Sequence, residues 1–221
     1  MFILKFFFVY FFMKNQIIIA RYNENLDWVK KLIDKYDIFI YNKQKGIPKE
    51  IEKFVKEKKI RYEELDNVGR ESHTYFHHIL KERNSFANKL FFTQAEPFDH
   101  IDPNNDNASP EFFYDQLDDF FNGEYDFKGY GKKRFIWSRG IGNKTPTMEK
   151  LWGDLFDEKL EEHEFNNGGI FGVKKEIILN RSKDFYKYGL KSLEYDKNPM
   201  EGFCYERLWS CIFNKNYKVK I

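Results

Sequence analysis

Residues 16–20, QIIIA, form a short continuous apolar run that ends in the polar cluster RYNEN. A run of that kind predicts a buried parallel strand with a loop at its carboxyl end. In LDWVKKLIDKY the apolar residues Leu26, Val29, Leu32 and Ile33 recur at helical spacing, and DIFIYN is a second β-branched and aromatic run ending in Asn42, Lys43 and Gly46. These segments predict a β-α-β unit. Its right-handed crossover lays the two strands side by side and opens both loops at one carboxyl edge, where ligands commonly bind.

PKEIEKFVKEKK predicts an amphipathic helix with Pro48 near its start, and residues 60–65 a third, short strand. DNVGRESHTYFHHILKERN reads as a loop leading into a helix, and KLFFTQ as a buried strand. Residues 95–110 form a polar loop with three prolines, longer than the usual connection, and long ordered loops often carry function. RFIWS and GGIFGV read as later strands; EFFYDQLDDFF, KDFYKYGLKSL and MEGFCYERLWSCIF have helical spacing; YKVKI is expected to close the sheet as an edge strand. The pattern predicts a single α/β, Rossmann-like domain over residues 14–221, with a mostly parallel mixed sheet flanked by helices.

The opening MFILKFFFVYFFMK is apolar, yet Lys5 interrupts it and it falls short of the roughly 20 residues that span a bilayer. Lys14, Asn15 and Gln16 follow where a signal peptide needs a small-residue cleavage site. Residues 1–13 are therefore expected to be a dispensable lead, either weakly membrane-associating or upstream of a true start at Met13.

Composition narrows the function classes. Hydrophobic residues make up 42% and charged residues 33% of 221, which describes a globular chain rather than a disordered or multi-span one. A net charge of +2 gives no basic field for nucleic acid, so any phosphate site must be local. The 25 Phe and 14 Tyr accompany abundant Lys, Asn and Ile, a codon bias that removes functional weight from the aromatics. Cys204 and Cys211 stand seven apart in one predicted helix, too far along it for a disulfide, which points to a cytoplasmic or otherwise reducing compartment, with membrane association through the lead left open.

Four segments carry candidate chemistry. In ARYNEN, Arg21 suits a phosphate and Asn23 or Glu24 a ribose or base, although both could equally cap the next helix. In GRESHTYFHH, His73 and His77 share one helix face, but Thr74 stands where a zinc protease needs Glu. A metal-dependent hydrolase would have to recruit Asp99 and His100 to those histidines, and a structural histidine pair is the competing reading. Arg70, beside Gly69 at a helix start, combines a guanidinium with helix amides into an anion site. QAEPFDH gathers Gln94, Glu96, Asp99 and His100 at a strand end, and NPMEGFCYERLW supplies Glu201 and Glu206, either of which could serve only the helix dipole or an ion pair.

ARYNEN, YNK, NVGRESHTYFHHI, FFTQAEPFDH, NNGGIFGV and ERLW together resemble a family of uncharacterised domains grouped near the GT-A type nucleotide-sugar glycosyltransferases, over residues 17–213. The resemblance implies a GT-A-like domain that moves a sugar from a nucleoside-diphosphate sugar to a hydroxyl of a glycan or other acceptor. It implies Arg21, Asn23, Glu24 and Arg70 in the nucleotide pocket, and Gln94, Asp99 and His100 at the donor sugar or a metal. NPMEGFCY is similar to the P-x-E element carrying the base in some branching N-acetylglucosaminyltransferases, which casts Glu201 as proton acceptor. Metal-dependent GT-A enzymes hold Mn²⁺ or Mg²⁺ with a D-x-D, and this chain has none; Gln94-Ala95-Glu96 stands in its place. Basic residues could replace the metal, Glu96 and Asp99 could bind it otherwise, or the domain could be a non-catalytic carbohydrate- or nucleotide-binding module.

Overall fold

The computed structural model describes residues 14–136 and 145–221; the apolar lead and the end of RFIWS lie outside them. The first apolar runs form β1 (Gln16–Arg21) and β2 (Asp37–Asn42), joined through a 3-10 helix at Asp27–Leu32. Leu26, Val29 and Leu32 recur every three residues and are all buried, which matches the three-residue turn of a 3-10 helix better than an α-helix. The short α1 (Glu52–Lys56) occupies one turn of the longer predicted helix and leads into β3 (Ile60–Glu64). Next come α2 (Arg70–Lys81), β4 (Lys89–Gln94) and α3 (Pro110–Asn122), the last capped by the Ser109 hydroxyl on the Phe112 N–H.

The remainder comprises β5 (Phe127–Gly129), β6 (Lys133–Ile136), α4 (Thr145–Leu155), β7 (His163–Asn166), β8 (Phe171–Lys174), α5 (Lys175–Leu179), α6 (Lys183–Lys191) and α7 (Met200–Ile212). Six strands make one sheet in the order β3-β2-β1-β4-β8-β5. The first four run parallel, while β8 is antiparallel to both of its neighbours. The fold is thus α/β with a mostly parallel, mixed sheet, as the hydrophobic pattern predicts.

Alternation along β1 divides the core between the two faces of that sheet. Ile18 and Ala20 join Tyr75, Phe76, Phe92 and Trp209 on one side, and Ile17 and Ile19 join Trp28, Phe91 and Phe113 on the other. Two expected strands sit elsewhere. RFIWS contributes β6 to a separate ribbon with β7, and YKVKI makes only an isolated bridge between Val219 and Phe156.

Gly172 in β8 faces the ring of Phe120, where an added Cβ would lie 2.5 Å from ring carbon. The Gly172→Ala variant is expected to lose about 1–3 kcal/mol through overpacking. Urea denaturation measures this, and an unchanged midpoint would show that the Phe120 ring can step aside.

Candidate active site

The carboxyl ends of β1, β2 and β4 open on one edge of the sheet, where the start of α2 and the segment before α7 close over them. A cavity of about 210 Å³ lies there. Arg21, Tyr22 and Glu24 line it after β1, Lys43 after β2 and Gln94 at the end of β4. Asn67 reaches it from the loop before α2, Arg70 and Glu71 from the first turn of α2, and Lys197 and Asn198 from the approach to α7. Parallel strands with helical crossovers generate such a crevice at their carboxyl ends.

Two consecutive left-handed residues build the start of α2. Gly69 has φ +66° and Arg70 φ +52°, and a Cβ on Gly69 would come 2.6 Å from that of His73. The left-handed conformation costs a side-chain-bearing residue energy, so Arg70 keeps it only because its surroundings enforce it. The enforcing group is Lys43, whose Nζ donates to the carbonyl oxygens of both Val68 and Arg70. The Gly69 N–H donates to the Asp196 carbonyl at 2.9 Å. The resulting turn aims Arg70 past α7, with its guanidinium 4.1 Å from the Phe203 ring centroid.

Arg21 and Glu24 line the cavity and also hold its wall together. Arg21 Nε donates to the Glu24 carbonyl at 2.8 Å, while Nη1 donates to the Tyr22 carbonyl and, at 2.9 Å, to Asn42 Oδ1. The Glu24 carboxylate accepts the N–H groups of Tyr22 at 2.7 Å and Asn23 at 3.1 Å. Asn23 itself is exposed and outside the cavity lining. Neither Asn23 nor Glu24 caps the 3-10 helix; Asn25 Oδ1 accepts the Asp27 N–H instead.

Three charged lining residues were left without a role by the sequence alone: Lys43, Glu71 and Lys197. Burial pushes the Lys43 ammonium down to about 8, against the opposing pull of Glu71. Burial likewise raises the Glu71 carboxyl above the ordinary range, although Arg70, its own backbone N–H and Lys43 act the other way. Such displaced ionisation in a crevice marks a candidate site. Lys43 was accessible in principle, because Y-N-K ends β2 just as A-R-Y ends β1. Glu71 adjoins Arg70 in G-R-E.

The other predicted residues lie apart from this cavity. Asp99 and His100 line a second one of about 310 Å³ with Asp102, Asp106, Lys132, Arg134 and Asn167. Glu201 lines a third, of about 300 Å³, and accepts the Tyr195 hydroxyl at 2.6 Å. Tyr195 is pushed up to about 12, chiefly by that bond. Glu206 points elsewhere again, accepting the Gly168 N–H at 2.8 Å.

His73 and His77 pack their rings in parallel 6.5 Å apart on α2, and His77 Nε2 lies 3.3 Å from Glu63 Oε1 on β3. Burial first, then the charge of Lys43, pushes His73 down to about 3, so it stays neutral. Among the described residues no three His, Cys, Asp or Glu side chains gather to hold a metal ion. The tetrad His73, His77, Asp99 and His100 therefore does not assemble. At the position of a D-x-D, the exposed Glu96 feels burial first and then the charges of Asp99 and Glu24, but these carboxylates do not converge on a common point. Among the described residues no cluster of three ligating side chains stands ready for a metal, and the cavity's own cations are groups available to a diphosphate.

A family model described as "Protein of unknown function (DUF3431)" matches residues 17–220. No curated protein matches the chain. Among solved structures, the chain is similar to core-mannan synthase A from Aspergillus fumigatus in its Mn/GDP form, at 11% identity and a TM-score of 0.37, with 88% of this chain and 70% of that one covered.

Proposed function

The chain belongs to the DUF3431 family, whose description leaves the activity to be argued from the site; we propose that its carboxyl-edge cavity binds a nucleoside-diphosphate sugar and that the domain transfers the sugar to a hydroxyl acceptor. One observation carries this reading: Lys43, Arg70 and Lys197 converge on a crevice at the ends of three parallel strands in a chain with almost no net charge. A diphosphate is the ligand such a local concentration of cations favours. Arg21 adds a fourth positive charge, fixed in the wall, against the carboxylates of Glu24 and Glu71.

In the transfer, the bond from the anomeric carbon to the diphosphate breaks and negative charge accumulates on the departing oxygen. Preorganised cations stabilise such charge without reorganising at the moment of reaction. Arg70, 31% exposed in its side chain, can reach a ligand while the Phe203 ring holds it in place. Tyr22, 41% exposed at the rim, offers a ring to a base, with Lys197 Nζ 5.4 Å from its centroid.

The experiment is a thermal-shift and calorimetric panel of UDP, GDP, inorganic pyrophosphate and their sugar conjugates, with and without Mn²⁺. A ligand at 100 times its dissociation constant adds about 2.7 kcal/mol of stability. The Arg70→Ala variant is expected to bind about tenfold more weakly with its melting temperature little changed, since a charge-assisted contact contributes roughly 1.5–3 kcal/mol. A large fall in melting temperature at unchanged affinity would make Arg70 a structural partner of Phe203 instead. Absence of any nucleotide or pyrophosphate binding to the wild type would end the reading.

A further inference from the structure

The turn at Gly168 and Gly169 has a partly buried carboxylate on each side. Glu206, 13% exposed in its side chain, accepts the Gly168 N–H at 2.8 Å. Glu71, 9% exposed, lies against Gly169, where an added Cβ would meet its Cγ at 3.5 Å and Oε1 at 3.6 Å. Two buried donors near them have no hydrogen-bond partner among the described residues. The Tyr75 hydroxyl, one turn beyond Glu71 on α2, is fully buried, and so is Trp209 Nε1, one turn beyond Glu206 on α7. Their rings are 5.9 Å apart. Buried polar groups in folded proteins are almost always satisfied, so orphaned ones call for a functional reason.

Glu71 differs from Glu24, the other carboxylate that lines the cavity, and from the glutamates of α7. Glu24 is engaged by two backbone N–H groups, and Glu201 faces another cavity with Tyr195. Glu206 is committed to Gly168 and to Arg207 at 3.5 Å. Glu71 lines the cavity directly, and its one side-chain contact there, from Arg70 Nε, is a long 3.4 Å. Its oxygens therefore remain able to accept a proton from something in the cavity.

We propose that Glu71 is the catalytic base of the transfer argued above, and that Glu206 is a positioning residue that holds the Gly168–Gly169 turn against it. The inference rests on that reading of the cavity. The acceptor hydroxyl gives its proton to a Glu71 oxygen as its lone pair forms the new bond to the anomeric carbon. The bond to the diphosphate breaks, and its electron pair leaves on the diphosphate oxygen facing Arg70, Lys43 and Lys197. A single displacement of this kind inverts the anomeric configuration. The charged groups facing Glu71 are Arg70 from its own helix, Lys43 from the end of β2 and Glu206 from α7, and burial outweighs them in holding its proton affinity high. A base tuned upward toward the working pH is the better catalyst.

The test combines calorimetry of UDP and GDP on the wild type and Glu71→Gln with donor-panel turnover and NMR of the product anomer. Glu71→Gln is expected to bind nucleotide at least as tightly as the wild type, because it removes a negative charge from an anion site, yet to transfer about 10²–10⁴-fold more slowly. Wild-type affinity should also rise as pH falls and Glu71 gains its proton, and that contribution to the slope should be lost in the variant. Turnover within tenfold of wild type in Glu71→Gln, or a wild type that binds nucleotide and transfers nothing, overturns the proposal while leaving the binding site intact. Should the variant fail to fold, a wild-type product of retained configuration overturns it equally. If no nucleotide binds the wild type, the donor reading itself falls, and the assignment of Glu71 with it.

Discussion

Lys43→Met is expected to lower affinity for UDP or GDP by about tenfold or more, and to remove the weakening of binding that the wild type shows as pH rises through about 8. The sign follows from burial. Lys43 sits between the Val68 and Arg70 carbonyls with its ammonium pushed down from the ordinary 10.5 to about 8. Below that pH it is charged and attracts a diphosphate; above it the amine is neutral and the attraction is lost.

Stability moves in the opposite sense. Between about 8 and 10.5 the unfolded chain holds a proton on Lys43 that the folded chain has released, so folding stability gains as pH rises across that window. Denaturation of wild type and Lys43→Met at several alkaline pH values isolates this contribution as the difference between the two curves. Binding that weakens equally with pH in both proteins would place the responsible group elsewhere.

A second large effect is expected far from the cavity. Arg181 is 6% exposed, and its guanidinium collects one carbonyl at the end of α7 and two beyond it: Nε donates to Ile212 at 2.8 Å, Nη2 to Asn214 at 2.7 Å and Nη1 to Tyr217 at 3.0 Å. A helix terminus leaves its last carbonyls without intrahelical donors, and Arg181 supplies them. Arg181→Met keeps the stem but strips three charge-assisted bonds. The loss should total about 4 kcal/mol, since the three are not additive, and lower the melting temperature by about 10 °C. A drop of under 2 °C would mean that solvent satisfies those carbonyls and that Arg181 is a bystander.

Much of the sheet was legible because its strands are short apolar runs with polar ends. QIIIA, DIFIYN, KLFFTQ and IFGV needed no partner to be recognised, and the parallel order of β1, β2 and β4 follows from the helical segments between them. The carboxyl-edge position of Arg21 and Gln94 followed from the same logic, and that of Arg70 from its place beside Gly69 at a helix start. Lys43 was not legible as a buried ammonium, since a lysine after a strand reads as solvated. It becomes buried only when the left-handed turn at Gly69 and Arg70 folds back over β2.

Glu71 was hidden for a related reason. A glutamate in the first turn of a helix suits the dipole, and only the glycine turn arriving from residues 168–169 covers it. Glu201 lies in a different cavity from the one the cations line. Its spacing from Pro199 says nothing of which way it points from α7, and it turns toward Tyr195, away from the cations. The tail YKVKI alternates as a strand should, but the sheet ends at β3 and β5, and only Val219 pairs, with Phe156.

The two cysteines on α7 give this protein an internal clock. Cys204 and Cys211 carry thiols at 0% and 2% exposure, packed with Tyr205, Trp209 and Phe213 against the sheet, and burial pushes the Cys211 thiol up to about 12. A thiol reagent attacks the thiolate and needs contact with sulfur, so neither residue can react while α7 stays docked. With reagent in excess, the rate of colour formation becomes the rate at which that helix opens. At lower reagent the same trace gives the population of the open form. Because the Phe203 ring next to Cys204 holds the Arg70 guanidinium, a nucleotide that locks Arg70 in place should slow that clock, reporting occupancy of a distant site without any label or substitution in the chain.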